Sequence, residues 1–129
     1  MEKNDLKFLI LFFYYNRPEM VLNAIKSLNK NTYKNFEIAF IDDGSDQPGE
    51  EVVRNELKPS FVKKTTFYNT NDTVEAKIER GGSEFGKIAN EAVKNSDADI
   101  VLMLCDDDAL FPDYLDKLNK FYKYNPKIN

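Results

Sequence analysis

Three consecutive carboxylates, Asp106, Asp107 and Asp108, follow the apolar run 100–104 with only Cys105 between. Held about 4 Å apart, such charges repel by roughly 4 kcal/mol at an effective dielectric near 20. A hard divalent cation offsets that repulsion: Mg²⁺ or Mn²⁺ takes oxygen ligands and commonly combines one or two carboxylates with phosphate oxygens. In an extended backbone Asp106 and Asp108 point to one side and Asp107 to the other, so one ion is not expected to take all three. The plain alternative is a solvated acidic turn. A second cluster, Asp42-Asp43-Gly44-Ser45, closes the run 36–41. Any strand-to-helix turn selects Asp, Gly and Ser, yet a carboxylate there can also accept from a ribose hydroxyl or a base N–H. Tyr15 offers a ring face to a base, or belongs to the core. Arg17, Lys77, Arg80 and Lys87 are either solvated cations or partners for diphosphate oxygens. Arg80 is favoured, because Gly81-Gly82 beside it lets backbone approach a ligand closely.

To act together, these clusters must be brought to one place by the elements between them. Residues 8–14 are continuously apolar and aromatic-rich, which suits a strand covered on both faces. Pro18 opens a helix with Val21, Ala24, Ile25 and Leu28 on one face, Asn23, Lys26 and Lys30 on the other, and Asn31 at its end. A strand over 36–41 precedes a helix over 50–57 that closes before Pro59. Residues 65–68 are β-prone, whereas 69–82, polar and carrying paired glycines, read as a loop or irregular segment. A helix over 84–95 is expected to bury Phe85, Ile88, Ala89, Ala92 and Val93. It leads into 100–104, another fully apolar strand of the type covered on both faces. Asp113 is the expected cap of a last helix with Leu115, Leu118 and Tyr122 on one side. This alternation predicts an α/β fold: an open, mostly parallel, Rossmann-like sheet with right-handed crossovers and helices on both faces. Ligands bind such sheets at the carboxyl ends of the strands, where Tyr15-Asn16-Arg17 and the two acidic clusters would converge.

The 129 residues carry 18 Lys+Arg against 22 Asp+Glu, a formal charge of −4, and are 42% apolar. One domain, residues 1–129, can then bury about two thirds of its unfolded surface. The acidic balance argues against nucleic acid as a partner. With no histidine and a single cysteine, Cys105, the chain cannot use Ser-His-Asp or Cys-His catalysis, a disulfide framework or a cysteine zinc cluster. The longest apolar run, 8–15, falls far short of the roughly 20 residues of a membrane-spanning helix. Asn16-Arg17-Pro18 stands where a signal-peptide cleavage site would be. A cytoplasmic chain that does not span a membrane is expected.

Taken together, Tyr15-Asn16-Arg17-Pro18, Ala24-Ile25 with Ser27-Leu28, Thr32-Tyr33, Glu37-Ile38, Ile41-Asp42-Asp43-Gly44-Ser45 and the stretch 104–115 with its acidic triplet and Pro112-Asp113 resemble the family 2 glycosyltransferases, of the GT-A fold. The resemblance covers nearly the whole chain, in the family's order and spacing. It implies a nucleotide diphosphate sugar donor, usually a uridine diphosphate sugar, and a Mn²⁺ or Mg²⁺ ion bridging protein and diphosphate. By position, Tyr15 would stack on the base, Asp43 would face it, and Asp106 would face ribose or metal. Asp107 would be the principal metal ligand, with Asp106 or Asp108 beside it. Asn16, Arg17, Gly44 and Arg80 complete the expected donor set.

Two positions depart from the family pattern. Its first acidic position falls on Cys105, a soft sulfur expected to pack in the core. Tyr14 stands where the family often has a small residue, and is expected to narrow the base pocket. In the family the catalytic base and the acceptor site follow the metal-binding strand. The base is therefore expected beyond residue 129, the chain is expected to be a donor-binding half truncated at its C-terminus, and the acceptor, whether glycan, lipid or protein, is not identified. A non-catalytic nucleotide- or ion-binding module is the competing reading. A receiver-type signalling domain fits less well, because Tyr15-Asn16-Arg17 stands where its acidic residues would be.

Overall fold

In the computed structural model, which describes residues 5–128, β1 (Phe8–Tyr14) is the hub of the sheet. It pairs in parallel with β2 (Phe36–Asp42) on one side and β4 (Ile100–Cys105) on the other, so Phe8 lies between Phe36 and Ile100, and Phe13 between Ile41 and Cys105. With β3 (Thr65–Asn69) outside β2, the order is β3-β2-β1-β4, four strands and all parallel. The unbroken apolar run of β1 follows from that place: a strand buried on both faces has no solvent side on which to put polar residues.

The two faces are covered unequally. Phe8, Ile10, Phe12 and Tyr14 join Ile38, Phe40 and Leu104 beneath α1 (Val21–Asn29), α2 (Glu50–Glu56), the single turn α3 (Pro59–Val62) and α6 (Tyr114–Tyr124). Edge-to-face pairs, Phe12 on Phe40 at 5.3 Å and Phe36 on Phe61 at 5.1 Å, lock this layer. On the other face, Leu9, Leu11, Ala39 and Ile41 are covered by one helix, α5 (Phe85–Lys94), through Ala92 and the half-buried Ile88 and Ala89, with Ala98 packed beside them. The α/β fold with helices on both sides of a parallel sheet is as expected. Among the described residues no helix is long and apolar enough to cross a membrane.

Several local expectations need correction. Residues 69–82 are not irregular: they contain α4 (Val74–Arg80). This helix buries no side chain, so hydrophobic periodicity is silent, and it is held by its ends. Thr73 Oγ1 accepts from the Ala76 N–H at 3.0 Å, and Gly81, at φ +82°, donates to the Lys77 and Ile78 carbonyls. Strand β4 is an edge strand, and α5 sits over β1 and β2, leaving Val101 and Met103 exposed at 40% and 63%. For the same reason Phe85 and Val93 are exposed, and only Ala92 of the expected α5 face is fully buried. Helix α1 begins at Val21, after a turn that holds Pro18 to Met20. Asp113 does occupy the N-cap of α6, but its carboxylate makes no cap bond and pairs with Lys117 at 3.1 Å.

Candidate functional site

The carboxyl ends of β1, β2 and β4 share one edge of the sheet, and their loops are stitched together by short polar contacts. Asn16 takes φ +48°, a left-handed conformation that asparagine tolerates. Its N–H donates to Ser45 Oγ at 2.9 Å, and its side-chain carbonyl accepts from the Gln47 N–H at 3.0 Å. Asp42 is buried, its carboxylate accepting from the N–H groups of Ser45 at 2.9 Å and Gly49 at 3.0 Å. Gly44, at φ +74°, lies so close to Asp72 that a Cβ would fall 2.2 Å from its carbonyl oxygen. Only glycine permits that approach of the loop after β2 to the loop after β3.

This framework leaves Asp43 facing forward. Its Oδ1 accepts from Ser83 Oγ at 2.7 Å and Thr70 Oγ1 at 3.1 Å, while its Oδ2 pairs with Lys77 Nζ at 3.2 Å. Lys77 Nζ also donates to the Asp43 carbonyl at 2.6 Å and stands 4.2 Å from the centroid of the Tyr15 ring. Lys77, delivered by α4, thus joins the acidic turn of β2 to the aromatic residue that follows β1.

At the end of β4, Asp106 is only 7% exposed. Its Oδ2 accepts from the Tyr15 N–H at 2.9 Å, and its Oδ1 accepts from Arg17 Nη1 at 3.3 Å. The same Nη1 lies 3.4 Å from Asp107 Oδ2. Asp108 closes the turn: its Oδ2 accepts from the Cys105 N–H and its own N–H donates to the Cys105 carbonyl, both at 3.0 Å. Between these groups lies a cleft of about 370 Å³ with Phe13, Ile41, Phe85 and Met103 as apolar walls and Tyr15, Arg17, Asp43, Asp106 and Asp107 as its polar rim.

Five residues expected at the site therefore share one cleft: Tyr15, Arg17, Asp43, Asp106 and Asp107. Asn16 and Gly44 shape the loops behind it. Arg80 is turned elsewhere: its guanidinium pairs with the buried carboxylate of Asp72, donates to the Gly82 carbonyl at 3.0 Å and approaches Glu84 at 3.7 Å. It fixes the junction of α4 and α5 and does not line the cleft; Lys77 is not a lining residue either, but it reaches the rim by pairing with Asp43 and lying over Tyr15. Lys87 is exposed beside Glu84. Asp108 lines a separate groove with Phe111 and Tyr114. Tyr14 borders the cleft, but its ring is buried against Phe40 and Gly49, and its hydroxyl donates to the Gln47 carbonyl at 2.6 Å. Cys105 is not a core residue either. It is half-buried and borders the cleft, and burial followed by the neighbouring carboxylates pushes its thiol above its ordinary value, keeping it protonated at neutral pH. No spacing in the sequence marks Thr70, Ser83, Phe85 or Met103: Thr70 and Ser83, in the segments after β3 and after α4, hold Asp43, while Phe85 and Met103 line the cleft from α5 and from the edge strand β4.

The donor chemistry fits a hard cation. Asp106 and Asp107 already share one positive group, and ligand atoms of Asp107, Asp108 and Cys105 lie within 4.8 Å of one another. Carboxylate oxygens suit Mg²⁺ or Mn²⁺, and a neutral thiol adds little.

Comparison with known proteins places this geometry in context. The family model described as glycosyl transferase family 2 matches residues 10–129. An uncharacterized glycosyltransferase of Rickettsia conorii is 30% identical over 122 residues, 95% of this chain and 18% of its own length. One from Haemophilus influenzae is 31% identical over 115 residues, 89% of this chain and 34% of its own length. The chain thus spans between about a fifth and a third of these curated relatives. Among solved structures, S. aureus TarS 1-349 in complex with UDP-GlcNAc superimposes with a TM-score of 0.67 at 22% identity, covering 92% of this chain and 32% of that one. The mannosyltransferase PcManGT from Pyrobaculum calidifontis, in complex with GDP-Man and Mn²⁺, gives 0.62 at 16% identity, covering 85% and 30%. At these identities the structural likeness is one of fold.

Proposed function

Because this chain belongs to glycosyl transferase family 2, we propose that it is the donor-binding part of an enzyme transferring a sugar from a nucleotide diphosphate sugar, with uridine diphosphate as the carrier, to an acceptor hydroxyl. The observation that carries this reading is the division of one cleft into two chemically distinct ends. At one end the cleft is lined by Asp43 and the Tyr15 ring, and Lys77, outside the lining itself, pairs with Asp43 and lies over that ring. A carboxylate acceptor beside an ammonium donor complements the N3–H and neighbouring carbonyl of uracil, and mismatches the corresponding edge of cytosine, where acceptor and donor are exchanged. At the other end, Asp106 and Asp107 would hold Mn²⁺ or Mg²⁺, and Arg17 offers a planar fork to diphosphate oxygens. TarS, which shares the fold, has been solved with UDP and with UDP-GlcNAc, in keeping with this assignment.

When bound, the cation supplies Lewis-acid stabilisation of the leaving diphosphate. The chain's own groups do the rest of the donor's handling. Tyr15 and Asp43 orient the base, Arg17 balances phosphate charge, and Phe13, Phe85 and Met103 exclude water from one wall of the cleft. The base that deprotonates the acceptor is assigned to the part of the relatives that this chain does not span, as is the acceptor site. Isothermal titration with UDP, CDP, GDP and ADP, each with Mn²⁺ and with chelator, tests the reading. UDP is expected to bind at least about tenfold more tightly than CDP, as one mismatched buried donor or acceptor dictates, and to lose most of its affinity with chelator. Equal affinities for all four, or no dependence on the ion, would overturn it. Binding without turnover of any UDP-sugar would favour a non-catalytic nucleotide module.

A further inference from the structure

A single cation occupies the space between the two carboxylates proposed to hold the divalent ion. Resting on that reading of the site, we infer that Arg17 is a displaceable counter-ion that couples metal binding to diphosphate binding. Its Nη1 is 3.3 Å from Asp106 Oδ1 and 3.4 Å from Asp107 Oδ2, so one nitrogen serves both carboxylates and the guanidinium acts as a shared point charge, not as a bidentate fork. Asp106 has little choice of partner: its Oδ2 is committed to the Tyr15 N–H at 2.9 Å, and the oxygen that remains is the one Arg17 holds. A divalent ion drawing on Asp106 therefore competes with Arg17 for Oδ1, and one that takes Asp107 through Oδ2 competes for both oxygens the guanidinium holds.

Arg17 is also free to leave. Half its side chain is exposed, and the other contact of Nη1 is a weak one, 3.8 Å to the sulfur of Met20. Its backbone need not follow, because the loop is held independently by Asn16 to Ser45 and Gln47. An ion arriving alone must displace the guanidinium into water. An ion arriving with a diphosphate gives the displaced guanidinium a matched pair of phosphate oxygens at the rim of the same cleft. Each ligand then strengthens the other by the same factor, as linkage requires.

Electron paramagnetic resonance of Mn²⁺, with and without UDP, tests the inference on wild-type protein, Arg17→Gln and Arg17→Lys, without any reading of activity. Arg17→Gln is expected to bind Mn²⁺ alone about fivefold or more tightly than wild type, while the factor by which UDP tightens Mn²⁺ binding falls about tenfold, both within the usual range of coupling between sites. Arg17→Lys keeps the charge but not the fork, so it should match wild type towards Mn²⁺ alone and still lose part of the coupling. Equal or weaker binding of Mn²⁺ alone by Arg17→Gln, with UDP still requiring the ion, overturns the counter-ion role and leaves the donor site standing. Wild-type protein that takes up no Mn²⁺ even with UDP overturns the site reading and the inference together.

Discussion

Replacing Gly44 by alanine tests whether the cleft is shaped by the near contact of two loops. The added Cβ would lie 2.2 Å from the carbonyl oxygen and 2.7 Å from the nitrogen of Asp72, whose own carboxylate is buried and paired with Arg80. Two costs add. A non-glycine residue in the left-handed region pays about 1–2 kcal/mol, and relieving a backbone overlap pays about 1–3 kcal/mol. Gly81 separates them: it has φ +82°, but a Cβ there meets nothing within 4 Å. The loss of unfolded-state entropy on Gly→Ala replacement is common to both and cancels in the difference. Urea denaturation followed by circular dichroism should therefore show Gly44→Ala less stable than Gly81→Ala by about 1–3 kcal/mol. UDP affinity should fall in the first variant and hold in the second. Two variants within about 0.5 kcal/mol of each other, the usual scatter of such measurements, would refute the idea that this approach sets the loop.

Other outcomes follow from the same geometry. Asp42→Ala leaves the buried N–H groups of Ser45 and Gly49 without their acceptor, and thermal unfolding should report a loss of about 2–4 kcal/mol. Lys77→Met should lower UDP affinity about tenfold in calorimetry and erase most of the preference over CDP, because the donor half of the base-reading pair is gone. Burial, reinforced by Asp5, Asp116 and Asp99, pushes the Tyr33 hydroxyl up to about 12, so the folded state favours its neutral form. Its stabilisation is complete below pH 10, where unfolded tyrosine is half ionised, and is lost as pH rises to about 12, a change of about 2–3 kcal/mol. Denaturation of wild type and Tyr33→Phe at pH 9 and pH 11 should show the difference between them shrinking at the higher pH.

The parts of the molecule that sequence made legible are those where one residue type has one physical reading. The apolar run of β1 demanded a strand covered on both faces and the alternation of strands and helices a parallel sheet, so the clusters ending β1 and β2 had to lie at its carboxyl edge. Edge and centre are not distinguishable in the same way: β4 reads like β1, yet Val101 and Met103 face outward because α5 covers only β1 and β2. Helix α4 is silent in the sequence because its signal is in Thr73 and Gly81 at its ends and none of its side chains is buried. Without a helix over Val74–Arg80 the neighbouring Gly81-Gly82 favours Arg80 over Lys77, and only the fold shows that Lys77 reaches Asp43 while Arg80 is held by Asp72.

The most direct test of the account is the anomalous difference density of Mn²⁺ in crystals grown with UDP. The expected result is one ion bound by the carboxylates of Asp107 and Asp106, with Arg17 moved from them to the diphosphate and uracil held at Tyr15, Asp43 and Lys77. An ion bound away from these carboxylates, or a nucleotide lying outside the cleft between β1, β2 and β4, would contradict it.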